Sequence, residues 1–168
     1  MDKKKITMFA DGAARHNPVG AGGFGTIVRY EDETGVHEYE LSGGAGCTTN
    51  NRMELIAVIA GLESIENPSY VHVVTDSQYV VNAFNRDWLK KWIHDDWKTA
   101  SNKPVKNREL WERLLALTKK HTVFFEWTRG HAGHPENSRC DELATKAADK
   151  FSTGKLNDRK HLVYNEQW

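Results

Sequence analysis

Four acids occupy positions where a short run of one character gives way to another: Asp11, Glu54, Asp76 and Asp141. Carboxylate oxygens are hard ligands, and several of them on one patch without thiols or imidazoles suit Mg²⁺ or Mn²⁺ better than zinc or copper. Several carboxylates on one patch are what two-metal phosphodiester chemistry requires, one ion activating water and the other stabilising the leaving oxygen. Each acid also has a local explanation. Asp11 precedes Gly12 and suits a turn. Glu54 follows Asn51 by three residues, and Asp141 follows Ser138 by three, the spacing of a capping box. Asp76 suits the N-cap of a helix starting at Ser77. Taken one at a time, the local reading is the stronger for each acid.

The elements that must carry these acids change that balance. Residues 5–10 are β-prone and stop at Asp11-Gly12, which predicts a strand. Residues 23–30 and 36–41 read as two more strands around the polar turn 31–35, so the first three strands form an antiparallel meander. Residues 52–64 are apolar almost all round, as a buried helix is. Residues 71–75 form a compact strand ending at Asp76, and strand, helix and strand in this order predict a βαβ unit with parallel strands. Thr7, Phe9 and Asp11 share one parity, as do His72, Val74 and Asp76. If these two strands are neighbours, about 4.8 Å apart, both aspartates can end on one face. Crowded carboxylates repel unless a cation neutralises them. Glu54, placed in the first turn of the crossover helix, is an acid in an otherwise apolar segment. Further helices are predicted over 77–85, 88–94, 107–119 and 138–150, with a fifth strand over 122–127 and loops at 16–20 and 129–136.

Two other patterns compete for attention. Gly20-Ala-Gly22-Gly-Phe-Gly25 has the letters of a dinucleotide fingerprint, but it leads into a strand instead of opening a helix, so it reads as a flexible strand entry. His131, His134 and Cys140 supply only three of the four ligands that a structural zinc takes, which makes zinc the minor reading.

The chain has 168 residues, the size of one domain, with 39% hydrophobic and 27% charged residues and no net formal charge. Charge balance excludes a globally basic nucleic-acid binder but leaves room for a local basic patch. No run of 18 apolar residues is present, which excludes a spanning helix, and Asp11 interrupts the N-terminal apolar stretch too early for a signal peptide. Two cysteines, Cys47 and Cys140, make no disulfide framework, so a reducing cytoplasm is the expected location. Residues 1–150 are expected to form the domain and 151–168 a polar tail.

The blocks Phe-Ala-Asp11-Gly12, Thr48-Thr-Asn-Asn-Arg-Met-Glu54-Leu, Thr75-Asp76-Ser-Gln-Tyr-Val80, Trp97-Lys-Thr-Ala, Lys103-Pro-Val-Lys-Asn107 and Gly130-His-Ala-Gly-His-Pro-Glu-Asn-Ser-Arg-Cys-Asp141 resemble bacterial type 1 ribonuclease H, in the family's order, over about residues 5–150. The resemblance implies an α/β ribonuclease H-like fold: a five-stranded mixed sheet, three antiparallel strands and then two parallel ones, flanked by helices. It implies a metal-dependent endonuclease that hydrolyses the RNA strand of RNA–DNA hybrids, leaving 5′-phosphate and 3′-hydroxyl ends. By the same resemblance Asp11, Glu54, Asp76 and Asp141 hold two Mg²⁺ ions, with Mn²⁺ a substitute. His131 assists proton transfer or product release. Asn17, Asn50, Asn51 and Gln78 contact the hybrid, and such amides can address the 2′-hydroxyl. A monomer is expected. Ala10 stands where the family usually has Thr, and Ala13-Ala14 replace a commoner Ser-Cys pair; neither change touches a metal ligand.

Residues 86–108 form a basic handle with net charge +4, in which Trp88, Trp92 and Trp97 interleave with Lys98 and other cations. Aromatic and basic residues so mixed suit a nucleic-acid groove. The tryptophans also suit packing, and the expectation is a mixture, with Trp88, Trp97 and Lys98 making some contact to the DNA strand. Asp95-Asp96 sit where relatives tend to carry lysine or arginine.

Overall fold

The computed structural model describes residues 3–15, 20–130 and 134–152. Its elements run β1 (Lys4–Ala14), β2 (Gly20–Asp32), β3 (Gly35–Thr48), α1 (Asn50–Ser64), β4 (Ser69–Thr75), α2 (Gln78–Asn85), α3 (Trp88–His94), α4 (Arg108–Lys120), β5 (Thr122–Trp127) and α5 (Pro135–Ser152). The sheet order is β3-β2-β1-β4-β5, antiparallel across β1, β2 and β3 and parallel across β1, β4 and β5. This is the mixed sheet expected from the sequence. The meander strands are longer than hydrophobic alternation marks them, because pairing continues through residues with little side chain, such as Gly22, Gly23 and Gly25.

Alternation along β1 divides the core. Ile6, Met8 and Ala10 face α1 within the main cluster, whereas Phe9 joins Ile27, Val74 and Cys140 beneath α5. Every residue of α1 from Met53 to Leu62 is buried, as its all-round apolar character requires. Its approach to the sheet is close. A Cβ at Gly61 would overlap the Met8 sulfur, and Thr26 donates its hydroxyl to the Ala57 carbonyl at 2.6 Å.

The glycine-rich stretch 20–25 is no flexible entry. It lies inside β2, and α5 presses on it: a Cβ at Gly23 or Gly25 would collide with the Ala144 or Cys140 carbonyl oxygen. Helix α5 starts at Pro135, three residues before the expected start, and runs to Ser152, so it takes in the first two residues assigned to the tail. Ser138 is therefore inside the helix and does not cap it, so Asp141 forms no capping box with it. Residues 153–168 lie outside the described residues.

Candidate active site

The acids meet at the C-terminal ends of two neighbouring parallel strands. Strand β1 pairs with β4 through Phe9↔Val74 and Ala10↔Thr75, so Asp11 and Asp76 are the next residues along each strand. Shared parity carries both to the α5 face. Glu54 arrives from α1 on the other side. Thr49 is the N-cap of α1, its side chain accepting from the Arg52 N–H at 3.2 Å. Asn51 is thus not the cap, and Glu54 sits in the second turn, not the first. What brings it to Asp11 is Gly12: a Cβ there would lie 2.4 Å from the Met53 carbonyl carbon and 2.5 Å from the Glu54 nitrogen. Ser77, not Asp76, caps α2, accepting from the Val80 N–H at 3.2 Å. The Asp76 side chain is not spent as that cap.

Carboxylate oxygens of Asp11, Glu54 and Asp76 lie within 4.8 Å of one another. Asp141, in the second turn of α5, shares a hydrogen bond with Asp11. The Asp11 carboxyl is pushed up to about 8, first by burial and then by the charges of Asp76 and Asp141. The Gly12 N–H, donating to Asp11 Oδ1 at 2.9 Å, opposes that rise. Glu54 is raised well above the usual carboxylate range by burial, then by Asp11 and Asp76. Its Oε2 is buried and, among the described residues, has no hydrogen-bond partner. A buried carboxylate oxygen with no partner is costly. An all-oxygen set of acids that repel one another fits a hard divalent cation, so this cluster can bind a metal.

The other expected site residues fall around this centre. Asn50 opens α1 and accepts from the Ala14 N–H at 3.3 Å, and Asn51 and Gln78 are exposed on the first turns of α1 and α2. Asn17 and His131 lie outside the described residues. Gly130, the residue before His131, abuts Asp76, since a Cβ on it would be 3.2 Å from Asp76 Oδ2. Trp88 is 37% exposed, whereas Trp97 is only 8% exposed with the Arg108 guanidinium 5.2 Å over its ring. Backbone bonds from Trp97 N to Trp92 O and from Val105 N to Trp97 O fix Trp97 as a brace within the handle. Lys98 is exposed and bridges to Pro104. Cys140 is no zinc ligand here: its buried thiol donates to the Phe9 carbonyl at 3.3 Å, and burial raises its pKa, away from the thiolate that zinc needs. Two contributors were missed in the sequence, Gly12 and Trp127. The Trp127 indole N–H donates to the Asp76 carbonyl at 3.1 Å. For Gly12 the only signal was its place directly after Asp11; for Trp127 it was its position at the end of β5.

Gly12→Ala is expected to cost about 3 kcal/mol, at the upper end for overpacking, because the obstructing atoms are backbone and no rotamer relieves them. Urea unfolding measures this. An unchanged midpoint would mean that α1 does not rest on β1 at Gly12.

The RNase H family model matches residues 3–149. Ribonuclease H of Lachnoclostridium phytofermentans is 58% identical over 146 residues, covering 86% of this chain and 92% of that protein. Ribonuclease HI of Neisseria meningitidis serogroup B is 50% identical over 147 residues, covering 88% and 97%. Among solved structures, LC9-RNase H1, a type 1 RNase H with the type 2 active-site motif, superposes with a TM-score of 0.80 at 26% identity, covering 99% of this chain and 88% of that one. LC11-RNase H1 in complex with RNA/DNA hybrid gives 0.60 at 26% identity, covering 86% and 97%. A domain match over almost all described residues, joined to whole-length relatives at half identity or more, shows that the chain belongs to the RNase H family and is a ribonuclease.

Proposed function

We propose that the protein is a metal-dependent endonuclease that hydrolyses the RNA strand of RNA–DNA hybrids, leaving 5′-phosphate and 3′-hydroxyl ends. The observation that carries this reading is the convergence of Asp11, Glu54 and Asp76 within 4.8 Å of one another, together with a buried Glu54 oxygen that has no hydrogen-bond partner among the described residues. The relative solved with an RNA/DNA hybrid supports the choice of substrate. Asp11, Glu54, Asp76 and Asp141 hold two Mg²⁺ ions, which Mn²⁺ can replace. When bound, the ions supply an activated water and a counter-charge for the leaving 3′-oxygen. Asp11, central among the acids, holds the cluster together. His131 moves a proton on or off the reacting oxygens, a task its imidazole suits near neutral pH. Asn17, Asn50, Asn51 and Gln78 present amides to the RNA 2′-hydroxyls. The domain over 1–150 acts as a monomer in the cytoplasm. Cleavage of a labelled RNA strand paired with DNA, paired with RNA, or alone, each with and without Mg²⁺, tests the proposal. Equal cleavage of all three, or cleavage of the hybrid in EDTA, would sink it.

In the handle, Trp88 and Lys98 offer surface to the DNA strand while Trp97 braces them. Asp95 pairs with His94 at 3.0 Å, and Asp96 adopts a positive φ of 56°. Asp95→Lys/Asp96→Asn removes both negative charges while keeping a residue that tolerates that backbone. Hybrid KM is expected to fall several-fold at moderate salt and to depend more steeply on salt, with kcat unmoved, because phosphate neutralisation governs affinity. Coincident KM-against-salt curves for variant and parent would show that the handle does not meet the duplex.

A further inference from the structure

The ladder between β4 and β5 ends at Thr75↔Trp127, one residue short of Asp76. Beyond that point Asp76 has left the sheet, and ladder bonds no longer fix its backbone. Three observations show that the end of β5 takes over. The Thr128 N–H donates to the Thr75 carbonyl at 2.9 Å. The Trp127 indole N–H donates to the Asp76 carbonyl at 3.1 Å. Gly130 then passes so close to Asp76 that a Cβ would lie 3.2 Å from Oδ2. The tryptophan is 40% exposed and lies over the end of β4, outside both core clusters. A large aromatic left half in solvent at a strand end contributes little to the core, yet its one polar atom is committed to the backbone of a site acid.

We infer that Trp127 is a positioning residue: its indole N–H fixes the Asp76 carbonyl, and so the direction from which the Asp76 carboxylate enters the acid cluster. Without this bond the Asp76–Ser77 peptide loses its tie to β5 and is held from its other side, where the Ser77 N–H donates to Thr75 Oγ1 at 3.2 Å, so the carboxylate shifts from the position set by Asp11 and Glu54. Groups that orient a metal ligand without touching the metal change affinity by about 10–100-fold when removed. The inference rests on the reading of Asp76 as a metal ligand.

Calorimetric titration of MgCl₂ into the substrate-free protein tests it without relying on turnover. Trp127→Phe keeps a ring and loses the donor, and Mg²⁺ affinity is expected to fall roughly tenfold with hybrid KM unchanged. Trp127→Gln returns an N–H of similar reach without the ring and is expected to recover part of the loss. Unchanged affinity in Trp127→Phe, or a loss that Trp127→Gln does not lessen, overturns the assignment to this hydrogen bond. Asp76→Asn separates the two ideas. If it weakens Mg²⁺ binding while Trp127→Phe does not, only the tryptophan's role falls. If it leaves Mg²⁺ binding at the parent level, the metal-site reading falls with it.

Discussion

Asp11→Asn is expected to abolish hybrid cleavage and, at pH 8 without metal, to raise the melting temperature. Loss of activity follows from removing the negative charge and one of the two carboxylate oxygens at the acid that neighbours the other three. Metal stabilisation of a phosphoryl transition state amounts to several kcal/mol, and each 1.4 kcal/mol is tenfold, so a fall of about 10³-fold or more is expected. The stability effect follows from the opposite side of the same charge. Asp11 titrates at about 8 in the folded, metal-free protein against an ordinary 3.8, chiefly through burial and then through Asp76 and Asp141. Between those values the folded state keeps a proton that the unfolded chain has released, so stability is whole below pH 4 and declines as the pH rises towards 8. Asp11 shares this titration with its neighbours, and the loss is on the order of a few kcal/mol. Asparagine carries no proton to lose, so the slope flattens in the variant. Thermal melts from pH 4 to 8 in EDTA should show the parent falling and Asp11→Asn falling less steeply, the remaining slope coming from Glu54, which burial still holds above the usual carboxylate range. Mg²⁺ should restore the parent at pH 8, because a ligand that binds only the folded state stabilises it by mass action. A parent curve that rises with pH, or a variant with near-normal turnover, would remove Asp11 from the centre of the site.

Much of this centre was legible from spacing. Parity along two strands allowed Asp11 and Asp76 to share one face on the condition that those strands are neighbours. Chain order alone does not require it, because β3, at the far edge of the sheet, is the strand that directly precedes α1 and β4. The register Phe9↔Val74 then places the two acids at the same level. Local capping rules failed at three of the four acids, for one physical reason. Asn51, Asp76 and Ser138 all have the chemistry of a cap, but Thr49, Ser77 and the residues before Pro135 lie nearer the actual helix starts. Residue type alone does not choose among several adjacent candidates. Glycines were harder still. Gly12, Gly23 and Gly25 are required because helices α1 and α5 press on the sheet, and those partners lie 40 to 120 residues away. A pairwise clearance of that kind leaves no local trace. Trp97 gave a mixed signal, since a tryptophan among lysines suits both a groove and a core; its burial under Arg108 selects the brace.

His131→Ala is expected to lower kcat by about 10²–10⁴-fold, the usual worth of a positioned proton carrier, with hybrid KM within a factor of two of the parent. Gly130, the residue before it in the chain, passes close enough to Asp76 that a Cβ there would lie 3.2 Å from Oδ2. The acids themselves are poor candidates for proton transfer once metal is bound, because their oxygens are then committed as ligands. An imidazole, able to gain or lose a proton near neutrality, is the complementary group. The pH–rate profile should therefore change shape. The parent is expected to show a limb that bends near the histidine range, and His131→Ala should lose that bend while keeping any limb set by metal binding to the carboxylates. Imidazole added to the buffer should return part of the lost rate, since a free base can enter the space that the side chain leaves. A purely structural role predicts a different pattern: lower thermal stability, a shifted KM, an unaltered profile and no rescue. Single-turnover cleavage of a labelled hybrid between pH 6 and 9, with and without imidazole, distinguishes the two. A variant whose rate matches the parent across that range would assign proton transfer to solvent water and leave the four carboxylates as the whole of the catalytic apparatus.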